Sequence, residues 1–318
     1  MPSFTAAAPG KIILFGEHAV VYGEPAIAVP LTSVQAKAIV SAQVKGRSGE
    51  IWIEAPDISL SAPIGHLAAE HPLRTAIQVV IGDKRIEDIP ACRIQITSNM
   101  PPSSGLGSSA AISAATIRAF SAFLGERLSD KQVSDLVFEV EKIHHGTPSG
   151  IDNSVISFQR PIYFQKGDPI EILNIKKAFS ILVVYSGKPG NTREAVQSVR
   201  ERWQNDSLTY NQVFRKIGQI SRSAKGFIES GNPELLGPLM DENHELLVEI
   251  GVSTPELDQL VLAAKEAGAL GAKLSGGGLG GHLIALIAGD GKTLEEEMAK
   301  AGAASTLINP VENRGTVE

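Results

Sequence analysis

Pro102-Ser103-Ser104-Gly105-Leu106-Gly107-Ser108-Ser109-Ala110 lies between a strand-like run, Ala91 to Thr97, and a long helix-like run that ends near Leu124 with Gly125 as its C-cap. A glycine-rich turn opening onto a helix offers unpaired backbone N–H groups and the positive end of the helix dipole, a setting that suits a phosphate. The stretch is not a Walker A loop, because that pattern ends in Gly-Lys-Ser/Thr and no lysine occurs between Lys84 and Lys131. The cation that offsets a polyphosphate must come from elsewhere, and Lys11 is the candidate. Two other readings stay open on the loop alone. Gly105-x-Gly107-x-x-Ala110 formally matches a dinucleotide fingerprint, with Asp130 about twenty residues on. A tight strand-to-helix turn whose glycines serve packing fits as well.

Two further segments bear on the choice. The N-terminal one reads Ala8-Pro9-Gly10-Lys11-Ile12-Ile13-Leu14-Phe15-Gly16-Glu17-His18-Ala19-Val20-Val21-Tyr22-Gly23. Its residues taken singly read as a surface lysine and the polar turn of an ordinary hairpin. The other, Lys273-Leu274-Ser275-Gly276-Gly277-Gly278-Leu279-Gly280-Gly281, repeats Gly-x-Gly-x-x-Gly but runs into the strand-like His282 to Ile287, whereas a dinucleotide turn must run into a helix.

The chain has 318 residues, enough for two domains with substantial cores. Apolar residues make up 43% and charged ones 20%, the balance of a globular protein. The net charge of −6 comes from 29 basic and 35 acidic residues, and the basic ones are scattered, which argues against a nucleic-acid footprint. No signal-like N-terminus or membrane-length apolar stretch is visible, so a cytoplasmic location without membrane attachment is expected. Cys92, the single cysteine, reads as a small buried apolar residue. The histidines show no metal-ligand spacing such as His-Glu-x-x-His, and Trp52 and Trp203 read as packing residues.

Apolar runs near Ile12, Val34 to Val44 and Ile51 to Glu54 predict strands, and a helical stretch follows around His66 to Ile81. Ser129-x-x-Gln132 is a capping box for a helix running to about His144. On that helix Val133, Val137 and Val140 share one side, and Glu141 flanks them. A carboxylate so near an apolar stripe needs a partner. Spacing alone favours a salt bridge over a metal. Beyond Arg160 come strand-like runs at Ile162 to Phe164, Ile172 to Ile175 and Ile181 to Tyr185. Four helix-like stretches reach about Ala267, followed by the glycine-rich segment, a strand, a charged helix near Glu295 and a final strand near Leu307. The domain boundary is placed between 165 and 180, giving domains of 1–170 and 171–318.

The three segments in this order resemble the galactokinase, homoserine kinase, mevalonate kinase and phosphomevalonate kinase superfamily, over nearly the whole chain. Gly-Glu-His followed by Ala19-Val20-Val21-Tyr22-Gly23 is most similar to the mevalonate kinase branch, as are His145-Gly146-Thr147-Pro148-Ser149-Gly150-Ile151-Asp152-Asn153 and Asn191-Thr192-Arg193. The resemblance implies an α+β fold with a ribosomal-protein-S5-like N-terminal domain, a ferredoxin-like C-terminal domain and the active site between them. It also implies ATP-dependent phosphorylation of the 5-hydroxyl of (R)-mevalonate; another small alcohol, such as homoserine or phosphomevalonate, is the alternative acceptor. A non-catalytic ligand-binding regulator and a dehydrogenase are the readings from other classes. Keeping Lys11, Ser109, Glu141 and Asp152 together speaks against a regulator.

On the same resemblance, Pro102 to Ala110 cradles ATP, and Ser109 with Glu141 holds Mg2+. Asp152 is the catalytic aspartate that orients the acceptor hydroxyl and takes its proton, and Lys11 lowers that hydroxyl's pKa and offsets charge on the γ-phosphate. Lys11, Glu17, His18, Asp152 and Thr192 lie on the acceptor side. Arg193 fits a contact to the acceptor's carboxylate and a domain-stabilising salt bridge equally. A homodimer is compatible with the family. The chain departs from the family pattern at Gly277, where many members carry alanine, and at His282. Gly277 reads as interchangeable with alanine in a flexible loop.

Overall fold

Alternating burial explains the first strands. Ala36, Ala38 and Val40 are sealed from solvent while Gln35 and Lys37 are exposed, and Cys92, Ile94 and Ile96 alternate with exposed Arg93, Gln95 and Thr97. The computed structural model describes residues 3–84, 86, 88–100, 105–145 and 148–313, with His144 and His145 by backbone alone. Pro102, Ser103 and Ser104 of the glycine-rich loop, and Gly146 and Thr147 of the histidine-glycine segment, lie outside the described residues.

The chain divides into two compact units, the first made of Met1–Lys11, Pro30–Pro102 and Leu106–Gln159 and the second chiefly of Ile12–Val29 and Arg160–Glu318. Strands β1 (Ser3–Phe15) and β2 (Ala26–Ala42) pair and contribute to both. In the first unit, β3 (Ile51–Ala55) pairs antiparallel with β4 (Leu60–Pro63) and parallel with β5 (Cys92–Ser98), which in turn pairs antiparallel with β2 from Ala36↔Ser98 to Ala42↔Cys92. The parallel pair needs a crossover, and α1 (Pro72–Lys84) supplies it. This helix begins later than the predicted His66. Pro72 disfavours helical geometry at the residue before it and is itself suited to the first helical position. Burial in β5 pushes the Cys92 thiol up to about 12, so it stays protonated and unreactive.

Helices α2 (Ser108–Phe123), α3 (Asp130–His145) and α4 (Ile151–Phe158) complete the unit, with α2 packed against α1, α3 and α4. Ala110, Ala111, Ala114 and Ala115 are essentially inaccessible, and their small side chains let α2 approach its neighbours closely. At its end the Gly125 N–H meets Ala122 O and the Glu126 N–H meets Ser121 O, with Gly125 at φ +84°, the paired-bond C-terminus that favours glycine. The capping box forms as predicted: Ser129 N–H donates to Gln132 Oε1 (2.9 Å) and Gln132 N–H to Ser129 Oγ (3.3 Å).

In the second unit β6 (Ile162–Phe164) pairs with Ala26 to Ala28 of β2 and with β7 (Glu171–Ile172). Strand β8 (Phe179–Tyr185) leads through α5 (Thr192–Asn205), α6 (Ser207–Ser230), α7 (Leu236–Glu249) and α8 (Pro255–Glu266) to β9 (Gly271–Ser275). Then β10 (His282–Leu286), α9 (Lys292–Lys300) and β11 (Ser305–Val311) close a wholly antiparallel sheet in the order β11-β8-β10-β9. Numbered from one to four along the chain, this order is 4-1-3-2, a ferredoxin-like β-α-β-β-α-β arrangement with four helices in its first crossover.

Strand β9 lies at the sheet edge, and α7 satisfies its outward backbone. Ala272 N–H donates to Asp241 Oδ1 (3.0 Å) and Leu274 N–H to His244 Nδ1 (3.3 Å), which keeps the edge from pairing elsewhere. Burial holds the His244 pKa below its ordinary value; Asp258, 3.2 Å from Nε2, opposes this and Lys273 reinforces it. The unfolded chain therefore takes up this proton at higher pH than the folded one. Stability is lost as pH falls through about 6.5 towards the folded-state value. We expect the melting temperature to drop between about pH 7.5 and 5.5, a drop that buried His18, also lowered in pKa, shares, and His244→Asn, whose Oδ1 takes the place of Nδ1 as acceptor for Leu274, to reduce it. An unchanged slope in His244→Asn would remove His244 as a source.

Candidate active site

In the first unit Lys11 is carried on β1, and its N–H donates to Leu106 O at 2.8 Å, tying the strand to the glycine-rich loop. Its side chain is buried rather than on the surface, 8% exposed, and Nζ lies 3.0 Å from Asp152 Oδ1; Asp152 is 34% exposed. Asp152 stands in the first turn of α4, whose N-cap is Gly150 at φ +94°. The helix is pinned by its next residue: Asn153 Nδ2 donates to Ser134 Oγ (2.9 Å) and Ser134 O (3.2 Å) on α3. A carboxylate and an ammonium are thus held together on rigid elements, with the carboxylate open to a reactant.

Gly107 is the N-cap of α2 at φ +80°, and with no side chain it makes no capping bond, so the N-cap leaves the first-turn N–H groups without a side-chain acceptor of its own. A Cβ on Gly107 would lie 2.7 Å from Ile156 Cδ1 and 3.0 Å from Lys11 Cγ. Only glycine lets the loop, Lys11 and α4 meet here. Two residues into α2, Ser109 Oγ donates to Glu141 Oε1 at 2.7 Å, and Glu141 is 4% exposed beside the buried Val137 and Val140. A hydroxyl and a carboxylate at a helix N-terminus are hard oxygen donors suited to magnesium, which takes few protein ligands and completes its shell with phosphate oxygens and water. Of the predicted ATP-cradle residues, Gly105 and Leu106 precede this turn, Gly107 caps it, and Ser108, Ser109 and Ala110 open the helix.

The second unit holds the other predicted residues. Glu17 is buried and its Oε1 accepts from Lys273 Nζ, both side chains being 0% exposed. Burial raises the Glu17 pKa and lowers that of Lys273, each opposed by the other's charge. Oε2 is also buried and lacks a well-formed hydrogen bond among the described residues, although backbone N–H groups at Glu17 and Gly276 pull the pKa partway back. The residue after Glu17, His18, sits at φ +58°, ψ −49°, and Ala19 N–H donates to Glu17 O at 2.6 Å. This is a three-residue γ-turn of the strained hand, costing roughly 1–3 kcal/mol. His18 Nε2 is 2.9 Å from Gly277 O, and burial lowers its pKa, so the ring is neutral with Nε2–H donating to the carbonyl. Nδ1 is then an acceptor.

Thr192 is exposed in the first turn of α5, whose N-cap Asn191 accepts from Glu194 N–H (3.1 Å). A Cβ on Gly277 would lie 2.7 Å from Thr192 Oγ1, so Gly277 is not interchangeable with alanine here without displacing Thr192. Arg193 is exposed and in no ion pair among the described residues. The sequence reading missed Lys273, which appears there only as the residue that opens a glycine-rich segment. Trp203 lies against Tyr22 with the rings tilted at 50° and 5.2 Å between centroids, and Trp52 donates Nε1–H to Ser61 Oγ (3.1 Å).

The contrast between two left-handed glycines isolates packing. A Cβ on Gly125 would meet open space, whereas one on Gly107 would collide with Ile156 and Lys11. Gly107→Ala should therefore cost about 1–3 kcal/mol more than Gly125→Ala in urea denaturation. Equal costs would show that the loop yields freely.

The GHMP kinases N terminal domain matches residues 73–160, and the GHMP kinases C terminal domain matches 224–304. The mevalonate kinase of Pyrococcus horikoshii is 37% identical over 98% of this chain and 96% of its own length. The crystal structure of Methanococcus jannaschii mevalonate kinase superposes with a TM-score of 0.84 at 29% identity, covering 98% of this chain and 99% of that one. That of L. major mevalonate kinase in complex with R-mevalonate gives 0.80 at 27% identity, covering 98% and 97%. With both family domains in place and full-length similarity above 30% identity, the chain belongs to the GHMP kinases and, among them, to the mevalonate kinases.

Proposed function

We propose that this protein transfers the γ-phosphoryl group of ATP to the 5-hydroxyl of (R)-mevalonate, giving 5-phosphomevalonate and ADP. The observation that carries the reading is the Lys11–Asp152 pair, 3.0 Å apart beside the α2 N-terminus. Phosphoryl transfer needs positioning and charge stabilisation more than covalent chemistry. Asp152 accepts the hydroxyl proton as the 5-oxygen bonds to the γ-phosphorus and the bond from that phosphorus to the β–γ bridging oxygen breaks. Lys11, 3.0 Å from Oδ1, orients the Asp152 carboxylate and offsets charge on the transferred group. The uncapped first turn of α2 binds phosphate oxygens through its N–H groups. Ser109 and Glu141 would hold Mg2+, which supplies charge neutralisation at the phosphates. On the acceptor side His18 Nδ1 receives a hydrogen bond from a mevalonate hydroxyl and Thr192 contributes its own hydroxyl.

The full-length likeness to mevalonate kinases, one solved with R-mevalonate, supports this acceptor over homoserine or phosphomevalonate. Among the described residues no helix is long and apolar enough to cross a membrane, which is compatible with action in the cytoplasm.

Asp152→Asn keeps the size of the side chain but removes the anionic proton acceptor. Coupled ADP release with mevalonate should slow by about 10²–10⁴-fold, with little change in ATP affinity. A rate near that of the parent would make Asp152 structural. A magnesium titration at fixed ATP tests the metal ligands. Glu141→Gln and Ser109→Ala should each raise the magnesium midpoint, and the double variant should be less than additive because both act through one ion. A midpoint unmoved in Glu141→Gln would take that residue out of the metal site.

A further inference from the structure

Lys273 lies on the edge strand β9 with no part of its side chain exposed. Its ammonium donates to Glu17 Oε1 and to Leu274 O (2.7 Å) and stands 6.0 Å from the centre of the Phe15 ring. A cation so enclosed touches no diffusing reactant. Its charge partner is Glu17, and Glu17 opens the strained turn centred on His18.

A non-glycine residue at positive φ persists only where its surroundings over-determine it. Here the restraints come from two directions. Glu17 is held by Lys273, and His18 Nε2 is held by Gly277 O, so strand β9 and the loop that follows it grip both residues of the turn. Downstream, Tyr22 stacks on Phe214 with ring centroids 4.1 Å apart, and Glu24 pairs with Arg222 at 2.8 Å, fixing the exit from the turn on α6. A buried ion pair is a poor source of net stability compared with apolar side chains of the same volume, so its presence calls for another role.

We propose that Lys273 is a positioning residue for the acceptor: through Glu17 it holds the strained His18 turn, so that the imidazole is fixed by Gly277 O and presents Nδ1 to an acceptor hydroxyl. The role rests on the acceptor reading given above for His18. It also assigns Glu17 to the support of the site, since a carboxylate with no exposed atom does not contact mevalonate.

The test compares parent, Lys273→Met and the double variant Glu17→Gln/Lys273→Met in thermal melts and in KM and kcat for mevalonate and ATP. It is accompanied by 15N NMR of the histidine rings. Lys273→Met alone leaves a buried carboxylate unpaired and should melt early or fail to fold. The double variant carries no charge at this buried pair and should regain most of the melting temperature. Its KM for mevalonate should nevertheless stay about tenfold or more above the parent while that for ATP stays within about twofold. The parent should show a single Nε2–H tautomer at His18, as the 2.9 Å contact to Gly277 O requires, and the double variant should lose it. A double variant with parental KM and an unchanged His18 signal would reduce the pair to a structural role, and so would KM values for both substrates rising together. Failure of the acceptor reading looks different: the parent itself would not turn over mevalonate, and the His18 signals of parent and double variant would still decide whether Lys273 holds the turn.

Discussion

Two opposite charges withdrawn from water must find each other, and in this protein they do so across 256 residues, from Glu17 to Lys273. The pair is one of the links that tie Ile12–Val29 to the second compact unit, beside the pairing of Ala26–Ala28 with β6. Strand β9 receives Glu17, the loop after it receives His18, and Ser275 Oγ at its end donates to Ile13 O at 2.7 Å. The outer edge of the same strand is closed by Asp241 and His244 from α7. One short strand thus joins the sheet, a helix and the N-terminal segment, and its lysine is the charged centre of that junction.

The first unit is organised by steric exclusion instead of charge. Gly107 occupies a point where loop, Lys11 and Ile156 converge too closely for a Cβ, and the alanine face of α2 brings α1, α3 and α4 close around it. This packing sets the position of the Lys11 ammonium, and the Asn153–Ser134 bonds set that of Asp152. Placing a reacting pair on a strand and a helix, with the supporting contacts buried, limits the misalignment to which phosphoryl transfer is sensitive.

Features encoded within a few residues were legible in the sequence. The capping box at Ser129 and Gln132, the glycine that ends α2, the Val133-Val137-Val140 face and the four helices before β9 follow from local periodicity and turn chemistry. The start of α1 did not, because the helical stretch read from His66 passes over the break that Pro72 imposes. Long-range partners were not legible at all. Nothing near Lys273 points to Glu17, and nothing near Gly277 indicates that Thr192 lies against its Cα. Lys11, Asp152, Ser109 and Glu141 drew notice through motif resemblance; spacing alone read Lys11 as a surface residue and Glu141 as a salt-bridge partner.

The acceptor and the atom phosphorylated define the activity. Incubating the enzyme with ATP, magnesium and, in turn, (R)-mevalonate, phosphomevalonate, homoserine and galactose, then locating the new phosphate by 31P and 13C NMR, addresses both. The account predicts fastest ADP release with (R)-mevalonate and a phosphate on its 5-oxygen. Equal or faster turnover of another alcohol, or phosphorylation at the 3-hydroxyl, would contradict it.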